Sequence, residues 1–128
     1  MAKLLNLSNI RFLGQQTDVE AIWKTHHALI LPSRSEGLAL TLIEAMAAGR
    51  PCIVTKAGGH PEVIQHGLNG FICEAAEGTL EDCMEQAWQQ RNSWEQIGKE
   101  ANNFVKENIP EHPEQEFALS IINLLNEK

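Results

Sequence analysis

No apolar run in the sequence approaches the ~18 residues needed to cross a membrane, and the first residues lack the charged start and apolar core of a signal peptide. Export is therefore not indicated, and a cytoplasmic protein is expected. Cysteine is scarce: Cys52, Cys73 and Cys83 are odd in number, show no CxxC spacing and fall in apolar or helical stretches. They read as buried free thiols, which excludes a disulfide frame and a cysteine metal centre. Internal repeats and low-complexity linkers are absent too. At 128 residues, with 43% hydrophobic and 21% charged side chains, the chain fits one soluble globular domain of moderate core.

Positive charge is also in short supply. The net charge is −7, with +2 over residues 1–60 and −9 over residues 61–128. With no basic stripe to displace counterions, a nucleic-acid partner is not expected. A small anion could still be held in the first half by backbone dipoles.

Four short apolar runs are present, at residues 10–13, 28–31, 52–55 and 71–73, each bounded by Gly, Pro, Ser or His. Their continuous apolarity predicts strands buried on both faces, as in a parallel sheet. Helical patterns lie between them. Thr17 with Glu20 predicts a capping box for a helix to about Lys24. A second helix is expected over 38–48, stopped by Gly49 and Pro51, and a short turn of helix over 61–65 precedes "HGLNG". Strand and helix alternate with short links, so the expected class is α/β with a doubly wound, mostly parallel sheet. Only helices follow: one capped by Thr79 to about Gln90, one with a Ser93–Gln96 capping box to about Asn108, and one over 114–126. Residues 1–6 read as the end of a helix, so the chain is expected to start within a domain. The whole of 1–128 reads as one partial domain, with its strand and helix core over about 10–73 and a helical tail over about 79–126.

The stretch "EGLALTLIEAMAAG" (36–49) carries Glu44 as the only charged residue between Gly37 and Gly49. Glu36 and Gly37 follow the expected strand at 28–31, at the carboxyl edge where open α/β sheets bind ligands. The next helix would turn its free N–H groups toward that edge and attract phosphate, and Gly37 has no Cβ to block approach. If the segment is helical throughout, Glu44 lies ~12 Å further along. The two acids would bracket a diphosphate, each able to accept hydroxyl bonds from a vicinal diol. The plainer alternative is that Glu44 pairs with Arg34 or Arg50.

The segment "LPSRSEGLALTLIEAMAAGRPCIVTKAGGHPEVIQHGLNGFI" (31–72) closely resembles the donor-binding lobe of the retaining GT-B glycosyltransferases of the group 1 (family 4) type. The matching elements are Pro32-Ser33, Glu36-Gly37, Glu44-Ala45-Met46, Gly49 with Pro51, Gly58-Gly59, Pro61-Glu62 and Asn69-Gly70. With residues 10–14 resembling the preceding strand, the likeness covers about 10–73. It implies a Rossmann-like sheet and a nucleotide-diphosphate sugar as donor substrate, with no metal and no cofactor. Glu36 would act at the donor sugar near the reacting carbon. The N–H groups of Gly37, Leu38, Ala39 and Leu40 would meet the diphosphate, and Glu44 would hold the ribose.

Departures from the family pattern are equally informative. Ala39 stands where many members have glycine, and would slightly crowd the diphosphate. Nothing before residue 10 supplies the family's first two strands, the Arg and Lys that clamp the diphosphate, or the N-terminal acceptor lobe. The chain alone is therefore expected to be inactive. In the strand order 3-2-1-4-5-6 the first strand is central, and residues 10–13 would be the third strand and 28–31 the fourth. Either 10–13 closes directly onto 28–31, the favoured outcome, or the exposed edge recruits a second copy as a homodimer. The second functional reading is a non-catalytic nucleotide-sugar-binding module or partner subunit. His26, His27, Trp23, Trp88 and Trp94 read as packing residues, Gly58 and Gly59 as a tight turn, and His60 as a loop residue beside the site.

Overall fold

The computed structural model describes residues 6–126. Its sheet has three parallel strands, β1 (Leu29–Leu31), β2 (Cys52–Thr55) and β3 (Phe71–Cys73), in the order β1-β2-β3. Ile30 pairs with Ile53, and Ile53 in turn with Phe71. The helices are α1 (Val19–Thr25), α2 (Leu40–Ala47), α3 (His60–Val63), α4 (Thr79–Gln89), α5 (Trp94–Asn108) and α6 (Pro113–Asn126).

The central strand β2 is buried along its whole length. Its alternation divides the core in two. Cys52 and Val54 pack with Trp23, Leu42, Met46, Val63 and Ala101, while Ile53 packs with Phe71, Cys83, Ala87 and Ile97. Helices thus cover both faces, as the doubly wound α/β expectation requires. Each large side chain withdrawn fully from water here contributes roughly 1.5–3 kcal/mol. β1 departs from the expected two-sided burial. Leu29 and Leu31 pack against the first core, but Ile30 on the other face is 45% exposed.

Residues 10–13 are a correction to the expected strand. They form no strand, and Ile10, Phe12 and Leu13 are exposed. Direct closure onto β1 therefore does not occur: β2 is the only strand paired with β1 among the described residues. The physical reason is that a strand needs a ladder partner. In the doubly wound order the third strand's neighbour is the second, not the fourth. The helix end expected over 1–6 lies outside the described residues, apart from Asn6.

Three helix starts also differ from expectation. Asp18, not Thr17, caps α1, accepting from the Ala21 N–H at 3.0 Å. Gly78, left-handed at φ +78°, leads into α4, so Thr79 is helical and its hydroxyl donates back to the Glu74 and Ala76 carbonyls. A 3-10 turn, Arg91–Ser93, runs straight into α5, and the Ser93 side chain makes no capping bond. The stop of α2 is as expected. Gly49 adopts φ +70°, and the N–H groups of Gly49 and Arg50 donate to Met46 and Ala45, both at 2.9 Å. Trp23 is buried as a core anchor, but Trp88 is 55% exposed, stacked edge-on against Trp94 with Arg91 over its ring.

Candidate donor site at the carboxyl edge of the sheet

β1 and β2 end at one edge, and the loops that leave them are tied together. The Thr55 hydroxyl at the end of β2 donates to the Ser33 carbonyl. The Gly59 N–H donates to the Gly37 carbonyl at 3.1 Å, and Gly58, with φ +49°, lies against the backbone of Glu36. The position of Glu36 and Gly37 is therefore set by two strands.

The helix that follows starts later than the sequence suggests, at Leu40 rather than residue 38. Residues 36–39 are loop, so Glu44 lies one turn into α2, ~6 Å along the axis from Leu40. The backbone donors are nonetheless available. Among the described residues no hydrogen bond takes the N–H of Gly37, Leu38, Ala39, Leu40 or Thr41, while Leu42 and Ile43 donate to the Ala39 carbonyl at 3.1 and 3.4 Å. Ala39 caps the helix without a side-chain bond and packs its methyl against the core. These unused donors and the dipole of α2 make this edge attractive to an anion.

Glu44 is half-buried, and its carboxylate makes neither an ion pair nor a hydrogen bond among the described residues. Arg50 does not serve it: its Nε donates to the Trp23 carbonyl at 2.8 Å. Lys24 is held by Glu20 at 2.9 Å. The Glu44 side chain instead lines a cavity of about 490 Å³ between α1 and α2, with Val19 and Trp23 as its apolar wall. A second cavity, about 400 Å³, opens at the carboxyl edge against Ser33, Arg34 and Thr55. A larger one of about 620 Å³ sits beside Gly49 and Pro51, before β2, and touches neither Glu36 nor Glu44.

The side-chain partner of Glu36 is His60, expected as a loop residue beside the site and found instead as the first residue of α3. His60 is fully buried; its Nδ1 lies 2.9 Å from the Thr55 carbonyl and its Nε2 3.4 Å from Glu36 Oε2. The adjacent "GGHPE" turn was the only available signal. The expected site residues thus divide into two groups: Glu36 and the donors of Gly37, Leu38, Ala39 and Leu40 lie together in the loop and at the first residue of α2, with Glu44 one turn into that helix. His26 and His27 are exposed and stand apart from both. Among the described residues no helix is long and apolar enough to cross a membrane.

Comparison with known proteins accords with this geometry. The family model for "Glycosyl transferases group 1" matches residues 1–104. Over 70 residues the chain is 46% identical to the N-acetyl-alpha-D-glucosaminyl L-malate synthase of Bacillus anthracis, covering 55% of this chain and 18% of that protein. The fold superposes on Anabaena Alr3699/HepE in complex with UDP with a TM-score of 0.84, at 24% identity, over 95% of this chain and 35% of the other. The complex of the same protein with UDP-glucose gives 0.79 at 23% identity, again over 95% and 35%. The chain therefore spans a fifth to a third of the length of these relatives. It belongs to the group 1 glycosyl transferases.

Proposed function

We propose that this chain is the donor-binding part of a retaining glycosyltransferase, which moves a sugar from a nucleotide-diphosphate sugar to an acceptor. The observation that carries the reading is the meeting of Glu36 with five unused N–H donors at the carboxyl edge of the sheet. A diphosphate takes those donors, the donor sugar lies against Glu36, and the ribose hydroxyls reach Glu44. The partnerless state of Glu44 supports its assignment, because a half-buried carboxylate without hydrogen bonds is costly until a ligand supplies them. The UDP and UDP-glucose complexes of HepE, a structural neighbour, make these two molecules the first probes.

Sugar transfer at this site is an electrostatic problem. Negative charge develops on the leaving diphosphate, and fixed backbone donors stabilise it without reorganising. Glu36 acts on the sugar side of the bond that breaks, where it accepts hydroxyl bonds and fixes the pyranose relative to the diphosphate.

Calorimetry on the chain tests this. UDP-glucose is expected to bind more tightly than UDP, and Glu36→Gln is expected to remove that difference while sparing UDP. Equal losses for both ligands in a folded variant would overturn the division of roles. GDP- and ADP-glucose extend the panel to the other bases.

A further inference from the structure

His60 is the most deeply placed ionisable side chain beside the candidate site, with 0% exposure. It sits at the start of α3, and both ring nitrogens face something definite. Nδ1 lies 2.9 Å from the Thr55 carbonyl oxygen. A carbonyl can only accept, so Nδ1 carries the hydrogen. In the neutral ring Nε2 is then a bare acceptor, and it faces another acceptor, Glu36 Oε2, at 3.4 Å. Nε2 accordingly has no hydrogen-bond partner, one of two such buried side-chain nitrogens among the described residues. One proton resolves the conflict. Placed between Nε2 and Oε2, it turns two opposed lone pairs into a charge-assisted hydrogen bond.

We propose that His60 is a positioning residue for Glu36: anchored by Thr55, it donates from Nε2 to Oε2 when protonated, and so leaves Oε1 to the donor sugar. The inference rests on the donor-sugar reading for its use, but not for its geometry. The anchor is rigid at both ends. Thr55 is buried in β2 and ties the Glu36 loop through Ser33, while Gly59, beside His60, bonds Gly37. Glu36 itself is the less enclosed member, its side chain 37% exposed. Without the imidazole contact that carboxylate is free to rotate through solvent. With it, one oxygen is fixed and the other is aimed.

Other charges around the ring are already engaged or turned outward. Lys56, one residue beyond β2, pairs with Glu74. Glu62 on α3 and Arg34 in the β1 loop are exposed. His66, after α3, packs edge-on against Phe71. Glu36 is the only group of opposite charge within ion-pair distance of His60 among the described residues. Alignment of Glu36 therefore follows the protonation of one ring.

Two measurements test this. The first needs no ligand: ring ¹⁵N shifts of His60 are followed through a pH titration of the labelled chain and of its Glu36→Gln variant. Replacing the carboxylate is expected to change the Nε2 response, because its charge-assisted partner is gone. Identical ring shifts in the two proteins would overturn the proposal. The second compares UDP-glucose with UDP at about pH 6 and about pH 8. The wild-type preference for the sugar nucleotide is expected to be larger at the lower pH. His60→Asn keeps a donor near Thr55 but cannot reach Glu36, and should lose roughly tenfold of that preference. His60→Gln carries an amide N–H toward Oε2 at any pH, and should restore the preference while removing its pH dependence. A His60→Asn loss shared equally by UDP and UDP-glucose would mark a merely structural residue and sink the positioning role. If the wild-type chain shows no sugar preference at all, the donor-sugar reading fails, and the ¹⁵N titration alone decides whether His60 and Glu36 are coupled.

Discussion

A Cβ placed on Gly58 would lie 1.7 Å from the Glu36 carbonyl oxygen and 2.3 Å from that of Gly37. The loop after β2 thus holds the loop after β1 by direct backbone contact, and Gly58 also has φ +49°. Gly58→Ala is expected to cost about 2 kcal/mol or more, from the positive φ and from forced separation of two backbones. Urea denaturation measures the cost. The variant should also lose the sugar-dependent part of UDP-glucose binding, because Glu36 moves with its carbonyl. Unchanged stability would show that the loops are not pressed together.

Asn69 has a comparable role in the turn that returns the chain to β3. It is 2% exposed; its Oδ1 accepts from the Gln65 N–H at 2.7 Å and its Nδ2 donates to the Val63 carbonyl at 3.0 Å. Asn69→Ala removes both bonds and strands two backbone groups at the end of α3, the helix that begins with His60. A loss of about 2–3 kcal/mol is expected in denaturant melts. A loss below about 0.5 kcal/mol would mean that water replaces the side chain without penalty.

Burial pushes the Cys52 thiol up to about 12, and burial first, then neighbouring Cys73, does the same for Cys83. An unfolded thiol titrates near ~8.5. The folded chain therefore keeps protons that the unfolded chain releases, and stability falls as pH rises from about 8.5 toward 12. Below that window the contribution is fully present. No tyrosine is present to titrate in the same range. Chemical denaturation at about pH 8 and about pH 10.5 should show a drop in the wild type, with a smaller drop in the Cys52→Ala/Cys83→Ala variant. Equal pH slopes would place the alkaline loss on other groups.

Much of this fold was legible in the sequence because its signals are local. Cys52–Thr55 and Phe71–Cys73 are apolar runs with sharp boundaries, and Gly49 stops α2 where a left-handed residue is required. Residues 10–13, apolar except for Arg11, form no strand. A strand is a property of two segments, and the run says nothing about whether its partner is present. Helix caps failed for a related reason. Thr17, Thr79 and Ser93 have suitable side chains, but the local backbone gives the cap to Asp18, the approach to Gly78 and the lead-in to a 3-10 turn. His60 was legible as a residue beside the site, but its burial and its two contacts were not, because Thr55 and Glu36 become neighbours only when β1 and β2 lie side by side.

Glu44 offers the most direct test of the nucleotide end of the site. It stands on the second turn of α2, half-buried, while the two nearby cations are engaged by Trp23 and Glu20. If it pairs with nothing in the empty protein, neutralising it should cost the fold little, and Glu44→Gln is expected to melt within about 0.5 kcal/mol of the wild type. A bound ribose changes that balance. Two hydroxyls would donate to one carboxylate, and the amide could match only part of that pattern. UDP and UDP-glucose should then weaken together in Glu44→Gln, by about 1.5–3 kcal/mol, the weight of hydrogen bonds to a charged group. The parallel loss separates Glu44 from Glu36, whose substitution should act on the sugar nucleotide alone. Titration calorimetry on the folded variant gives the answer: undiminished UDP affinity would remove Glu44 from the site and leave its solitary charge to be explained by the cavity beside Trp23.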